Sequence, residues 1–197
     1  MYNWRRMSPE QRDEVLAARQ LAKQPWHGPP HACETGWFHL SAACFEHQPV
    51  IGASLDRMLA FEAELLRATR AKCLQVMAWC VLPNHYHLLA QCLSLPECRR
   101  ALGDLHSGTS RLWNQEDALV GRQCWYRCLP KRVKNDAHRW ATLNYIHHNP
   151  VRHGYVAKWQ EWPLSSAAAY LEAVGRAQAE RVWREYPVLD MGDGWDD

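Results

Sequence analysis

No apolar run in this chain approaches the roughly 20 residues that a membrane-spanning helix needs, so no span is expected. The amino terminus, Met1-Tyr-Asn-Trp-Arg-Arg-Met7, runs into charged sequence without the apolar stretch of a secretory leader, which points to the cytoplasm. Internal repeats and low-complexity tracts are absent, which excludes repeat architectures. A disulfide framework is not expected either, despite 8 cysteines, at 33, 44, 73, 80, 92, 98, 124 and 128. Without a leader, reduced thiols are the expectation. Cys73 and Cys80 sit inside apolar strand-like runs, where cysteine behaves as a small hydrophobe. Cys124 and Cys128 come nearest to a zinc pair, but their spacing is loose and no second pair matches them, so zinc is not expected there.

What is present fits one soluble domain with appended ends: 197 residues, 47% hydrophobic and 22% charged. The divisions fall at 1–35, an amino-terminal extension; 36–160, the core; and 161–197, a carboxy-terminal helix with an acidic tail. The formal net charge of +2 conceals an asymmetry. Residues 185–197 hold five acids and no base, which leaves 23 basic against 16 acidic residues, or +7, on residues 1–184. A basic body of this kind can hold phosphates with salt-dependent affinity. The tail, with Gly192, Gly194 and Trp195 among its acids, is read either as a competitor for the same cations or as a solubilising end.

The pattern predicts a short helix over 8–23, broken by Pro25, Pro29 and Pro30. A strand follows over Trp37–Phe45, then a helix over Leu55–Thr69 with Ser54 as N-cap. Strands over Cys73–Leu82 and His85–Cys92 are joined by a Pro83-Asn84 turn. Next come a helix from Leu95 to about Asn114, a strand over Trp125–Val133, a helix over Asp136–Asn149 and a last helix over Ser165–Arg184. Strand, helix, strand, strand, helix, strand gives an α+β, ferredoxin-like (RRM-like) expectation. It places helices on one face of an antiparallel sheet and one further helix after the last core strand.

Two clusters carry chemistry. His85 and His87 flank Tyr86 on a strand, so the two imidazoles project to one face, which is half of a metal site. Each could equally be a hydrogen-bonded core or surface residue. Tyr145 and Asn149 lie four apart on a helix, hence one turn apart on one side. On the helical wheel His138, Thr142, Tyr145 and Asn149 gather opposite Trp140, Leu143 and Ile146, which sets Tyr145 away from the bulky apolar stripe. Asn149 precedes Pro150 and is also expected to end the helix. Cations at Arg122, Arg127, Lys131, Arg132, Lys134 and Arg139 are interleaved with Trp125, Tyr126 and Trp140, a mixture suited to single-stranded nucleic acid but also to a solvated face.

The chain resembles the REP-associated tyrosine transposases of the HUH nuclease superfamily. The resemblance rests on Leu82-Pro-Asn-His-Tyr-His-Leu-Leu89, Cys124-Trp-Tyr-Arg127 and Tyr145-Ile-His-His-Asn-Pro-Val-Arg-His-Gly154, with support from Trp162-Pro-Leu-Ser-Ser166 and Trp4-Arg-Arg-Met-Ser-Pro-Glu-Gln-Arg12. It implies that His85, His87 and Asn149 bind a divalent cation, magnesium or manganese, and that Tyr145 attacks a phosphodiester to form a covalent 5′-phosphotyrosine. It implies a partner, single-stranded hairpin DNA, gripped also by Arg5, Arg6 and Arg152, and a monomer or homodimer in the cytoplasm at the nucleoid. Two rivals stand beside it: a DNA-binding regulator that keeps the fold without cutting, and a small interaction protein whose histidines take up zinc adventitiously.

Overall fold

A computed structural model describes residues 34–188, together with Ser8, Glu10, Gln11, Glu14 and Ala17. The chain divides into two units, Met1–Cys33 and Glu34–Asp197. In the first unit Glu10, Gln11, Glu14 and Ala17 are helical, within the expected helix, and Ser8 Oγ caps it by accepting from Gln11 N (3.3 Å). Trp4, Arg5, Arg6 and the acidic residues after Val188 lie outside the described residues.

The second unit is built on four strands: β1 (Gly36–Ala43), β2 (Cys73–Val81), β3 (His85–Cys92) and β4 (Leu129–Arg132). They lie in the order β2-β3-β1-β4, and every neighbouring pair is antiparallel. Helix α1 (Leu55–Arg70) follows β1, and α2 (Leu95–Glu116) follows β3. Ser54 Oγ and Ser94 Oγ accept from Arg57 N and Glu97 N and so cap the two helices. Gly103 and Gly108 do not interrupt α2, which runs two residues past the expected end.

Strand alternation divides the molecule. Phe38, Leu40 and Ala42 of β1 and Tyr86, Leu88 and Ala90 of β3 pack under α1 and α2 with Phe61, Leu65, Cys98 and Leu102. The intervening residues, His39, Ser41, His85, His87 and Leu89, face the other side. There α3 (Asp136–Arg152) packs against β2 and β3, with Leu143, Tyr145 and Ile146 meeting Ala78, Cys80 and Leu89. α1 and α2 are locked at their ends by Arg57, whose guanidinium meets Asp117 at 2.6 Å and Glu116 at 2.8 Å. With Arg122 also at 2.7 Å, these hydrogen-bonded cations hold the Asp117 carboxyl down at about 2.

Three boundaries differ from the sequence pattern, each for a local reason. The strand expected from Trp125 begins only at Leu129, and Trp125 keeps a single bridge to Cys44. Its ring is drawn into the core, stacked on His106 at 4.4 Å, with Nε1 donating to Thr109 Oγ1 at 3.0 Å. α3 does not stop at Asn149 but continues through Pro150 to Arg152. In the last turn the missing proline N–H removes only one ladder bond, and the C-terminal carbonyls are met instead by His153 N, Gly154 N and Tyr155 N. The long last helix is split into α4 (Ala167–Val174) and α5 (Arg176–Glu185) by Gly175, whose φ of 77° few other residues adopt. No helix among the described residues is long and apolar enough to cross a membrane.

His106 turns this core into a pH sensor of stability. Its Nε2 pairs with Tyr86 Oη at 3.0 Å, and burial holds its pKa down at about 4. The unfolded chain binds a proton near pH 6.5 that the folded chain refuses, so stability falls as pH drops from about 6.5 to about 4, by up to roughly 3 kcal/mol. Urea unfolding at pH 7.5 and 4.5 should show a smaller loss in His106→Phe than in the wild type. Equal losses would refute the assignment.

Candidate functional site

The site is assembled by the turn that starts β3. Gly52 N donates to Pro83 O at 2.9 Å, Cys44 N donates to Asn84 O at 2.7 Å, and Asn84 Nδ2 donates to His47 O at 3.1 Å. The turn is therefore fixed from both sides before His85 leaves it. Asn84 presents its amide oxygen to His85 Nδ1 at 2.8 Å. An amide oxygen only accepts, so Nδ1 donates this bond. On the other side of the ring, Nε2 is hydrogen-bonded to the Asn149 side-chain amide, with Oδ1 at 3.0 Å. Cis donors around a six-coordinate magnesium ion stand about 2.9 Å apart, the separation this pair of atoms already has. Asn149 Nδ2, also buried, has no hydrogen-bond partner. The donor set of two imidazoles and an amide oxygen suits a divalent cation.

His87 projects beside His85, with ring centroids 5.0 Å apart. Its Nδ1 meets His39 Nε2 at 3.0 Å, so His87 can serve as a ligand only through Nε2. The Tyr145 ring stands edge-on to both, 5.3 Å from His87 and 5.9 Å from His39. The structure thus brings His85, His87, Tyr145 and Asn149 together. It does so under cover: all four are at most 3% exposed. Thr142, Tyr145 and Asn149 are buried on α3, and the Tyr145 ring packs in the same apolar cluster as Leu143 and Ile146, so the separation of Tyr145 from the apolar stripe that the helical wheel predicts does not hold. α3 is covered by the strands on one side and by the Trp159–Glu161 turn and α5 on another. Tyr145 also lines a cleft of about 400 Å³, together with His148, Asn149, Arg152 and Trp183.

Two histidines at this site escaped the sequence reading. His39 reaches His87 because Ser41 pairs with His87 across β1 and β3, and His153 stacks edge-on to His85 at 4.9 Å. A lone histidine alternating with Phe38 and Leu40 was the available sign of the first. His147 is elsewhere: its Nε2 meets Ser166 Oγ at 2.8 Å, and burial pushes its pKa down to about 3.

The cations separate into groups. Lys131 pairs with His39 across β1 and β4, and Arg152 lines the Tyr145 cleft. Arg132 neighbours Lys131 on the edge strand, Lys134 is exposed, and Arg139 is paired with Asp136 at 3.1 Å and lies over Trp37. Arg122 and Arg127 lie apart from these, in a cleft of about 590 Å³ shared with Arg99 and Arg100. Arg122 is already engaged by Asp117. Arg5 and Arg6 fall outside the described residues. A different cluster, the thiols of Cys73, Cys92 and Cys98, has its sulfurs within 4.8 Å of one another and is able to coordinate a metal ion. Sulfur is the wrong donor for magnesium or manganese.

No protein-family model matches the chain. Its fold aligns with the structure of a REP-associated tyrosine transposase bound to a REP hairpin, with a TM-score of 0.59, 17% identity and coverage of 77% of this chain and 87% of that one. The fold is shared. In sequence the chain is 28% identical over 108 residues to the REP-associated tyrosine transposase of Escherichia coli K12, covering 52% of this chain and 59% of that protein. It is 30% identical over 112 residues to a Haemophilus influenzae protein assigned to the same group, covering 47% and 58%. The chain thus spans less than two thirds of the length of these curated relatives.

The clamped turn gives a direct test of how the site is positioned. A Cβ on Gly52 would collide with Pro83 Cβ and lie 2.9 Å from Pro83 Cα. Gly52→Ala is expected to cost about 1–3 kcal/mol of stability by displacing the turn that carries His85. Urea unfolding checks it; wild-type stability would contradict the account.

Proposed function

We infer that this chain is a divalent-metal-dependent nuclease and strand transferase that cuts single-stranded hairpin DNA through a covalent tyrosine link. The observation that carries the reading is the convergence of His85, His87, Asn149 and Tyr145, from two separate elements, beside a cleft. The strand order β2-β3-β1-β4 supports a ferredoxin-like core of the HUH type. The REP hairpin bound by the structurally similar transposase supports hairpin DNA as the partner. The regulator reading needs none of the four residues to converge. The cytoplasm is the matching compartment, at chromosomal palindromes, for a monomer or homodimer.

His85, His87 and Asn149 would hold magnesium or manganese, whose charge offsets that of the scissile phosphate. Asn84 and His39 fix the two imidazoles through their Nδ1 atoms, so the ligand nitrogens are oriented before DNA arrives. Tyr145 is carried by α3, a rigid element, and burial of its ring excludes water from the point of attack. Its oxygen forms a bond to phosphorus as the bond to the 3′ oxygen breaks. The phenolic proton departs and the leaving oxygen ends as a hydroxyl, with the 5′ phosphate on the protein. Attack by another 3′-hydroxyl reverses the step and rejoins strands, so no nucleotide cofactor is needed. Arg152 lines the same cleft and Lys131 stands across from His39, positions suited to the DNA backbone; Arg122, Arg127, Arg132, Lys134 and Arg139 extend the basic surface.

Tyr145→Phe keeps the ring and removes the attacking oxygen. It is expected to retain hairpin binding while cleavage falls by roughly 10⁴-fold or more, with loss of the denaturant-resistant protein–DNA adduct. Wild-type cutting by this variant would end the assignment. For the cation, His85→Ala and His87→Ala should each weaken manganese binding by more than the roughly 10–100-fold typical of an outer-shell loss. Asn149→Ala should cost less, because its ligand comes from the end of a helix. Unchanged manganese affinity in both histidine variants would place the cation elsewhere.

A further inference from the structure

The end of β3 away from the histidines holds a donor cluster of different chemistry. Cys73 opens β2, Cys92 closes β3, and Cys98 is the fourth residue of α2. An extra residue on β2 between Cys73 and Gln75 shifts the register and sets Cys73 directly opposite Cys92. Extended without that shift from the Gln75–Gln91 pair, the ladder would set Cys73 against Leu93. Cys73 Sγ lies 3.9 Å from Cys92 Sγ and 3.8 Å from Cys98 Sγ. Three sulfurs bound at about 2.3 Å to one ion stand about 3.8 Å apart at tetrahedral angles and about 4.0 Å apart in a trigonal plane. Two of the three separations here match such corners, and the third is within 4.8 Å. Apolar packing accounts for any one of these contacts, but it gives no reason for three cysteines from three elements to share one centre.

We propose that Cys73, Cys92 and Cys98 form a thiolate site for a zinc-class cation, which ties the start of edge strand β2 and the first turns of α2 to the end of β3. Cys92 stands seven positions from His85, roughly 23 Å along the strand, and the two side chains face opposite sides of the sheet. The site is therefore independent of the one proposed for cleavage. Binding exchanges three S–H bonds for three metal–sulfur bonds, releases the thiol protons to solvent and leaves a net charge of −1. The amino-terminal end of α2, where Cys98 stands, favours that charge. Cys73 is 8% exposed against 1% and 0% for Cys92 and Cys98, so the fourth position opens on its side, to water or an exogenous donor.

Cobalt(II) titration of the reduced, metal-free, full-length protein tests this. One equivalent should bind with a sulfur-to-metal charge-transfer band and the strong visible bands of a tetrahedral ion, and zinc should displace it. Zinc at a hundred times its dissociation constant should raise Tm by about 5–10 °C. Cys73→Ala and Cys98→Ala should abolish the charge-transfer band. Cys80→Ala, Cys128→Ala and a His85→Ala/His87→Ala double variant should keep it, so failure here and failure of the proposed cleavage site are distinguishable. A folded wild-type protein without the band overturns the proposal whatever the variants do. So does a band that survives both Cys73→Ala and Cys98→Ala, or oxidation of Cys73 and Cys92 to a disulfide at one rate with and without zinc.

Discussion

The in-register antiparallel pairing of β1 with β3 is the constraint on which the molecule depends. It runs unbroken from Gly36–Cys92 to Ala43–His85. Because side chains alternate with a period of two, this one register sends Phe38, Leu40, Tyr86 and Leu88 under α1 and α2 and His39, His85 and His87 to the opposite face. A slip of one residue would exchange the sets, placing imidazoles in the apolar core and aromatic rings in the site. Core packing therefore protects the position of the polar residues without touching them.

Burial makes the polar side of the sheet costly and ordered at once. The imidazoles of the sheet and the amide and phenol ring of α3 meet between the two with almost no exposure, so each must find partners or lose the free energy of its water contacts. Asn84 and His39 supply those partners for His85 and His87, and the Asn84 oxygen, which can only accept, fixes a proton on His85 Nδ1. His85 Nε2 in turn meets the Asn149 side-chain amide at 3.0 Å, a bond that joins elements far apart in the chain.

Strand β3 also separates two kinds of donor. Imidazole nitrogens and an amide oxygen gather at its first residues on one face, and thiols at its last residue on the other. Donor softness would send different ions to the two proposed sites. The irregular edge strand β2, whose register shifts twice within a few residues, would gain most from a cation at the sulfur end.

Much of this was legible in the residues. Local signals that act over a few positions placed Ser54 at the N-cap of α1, the Pro83-Asn84 turn, and the limits of β3, and strand alternation put His85 and His87 on one side. Helical spacing alone set Tyr145 and Asn149 one turn apart. Other features depended on contacts that no local pattern encodes. Trp125 left its expected strand because the core between Phe61 and His106 took its ring, and α3 ran through Pro150 because the lost bond fell in its final turn. His39 joined His87, and Cys73 met Cys92 and Cys98, only through strand register and helix docking. The sequence by itself determined which residue types alternate, where turns and caps fall, and that a histidine pair and a tyrosine–asparagine pair exist. Only the tertiary structure decided that these pairs share one buried site, because their meeting is set by long-range strand pairing and packing.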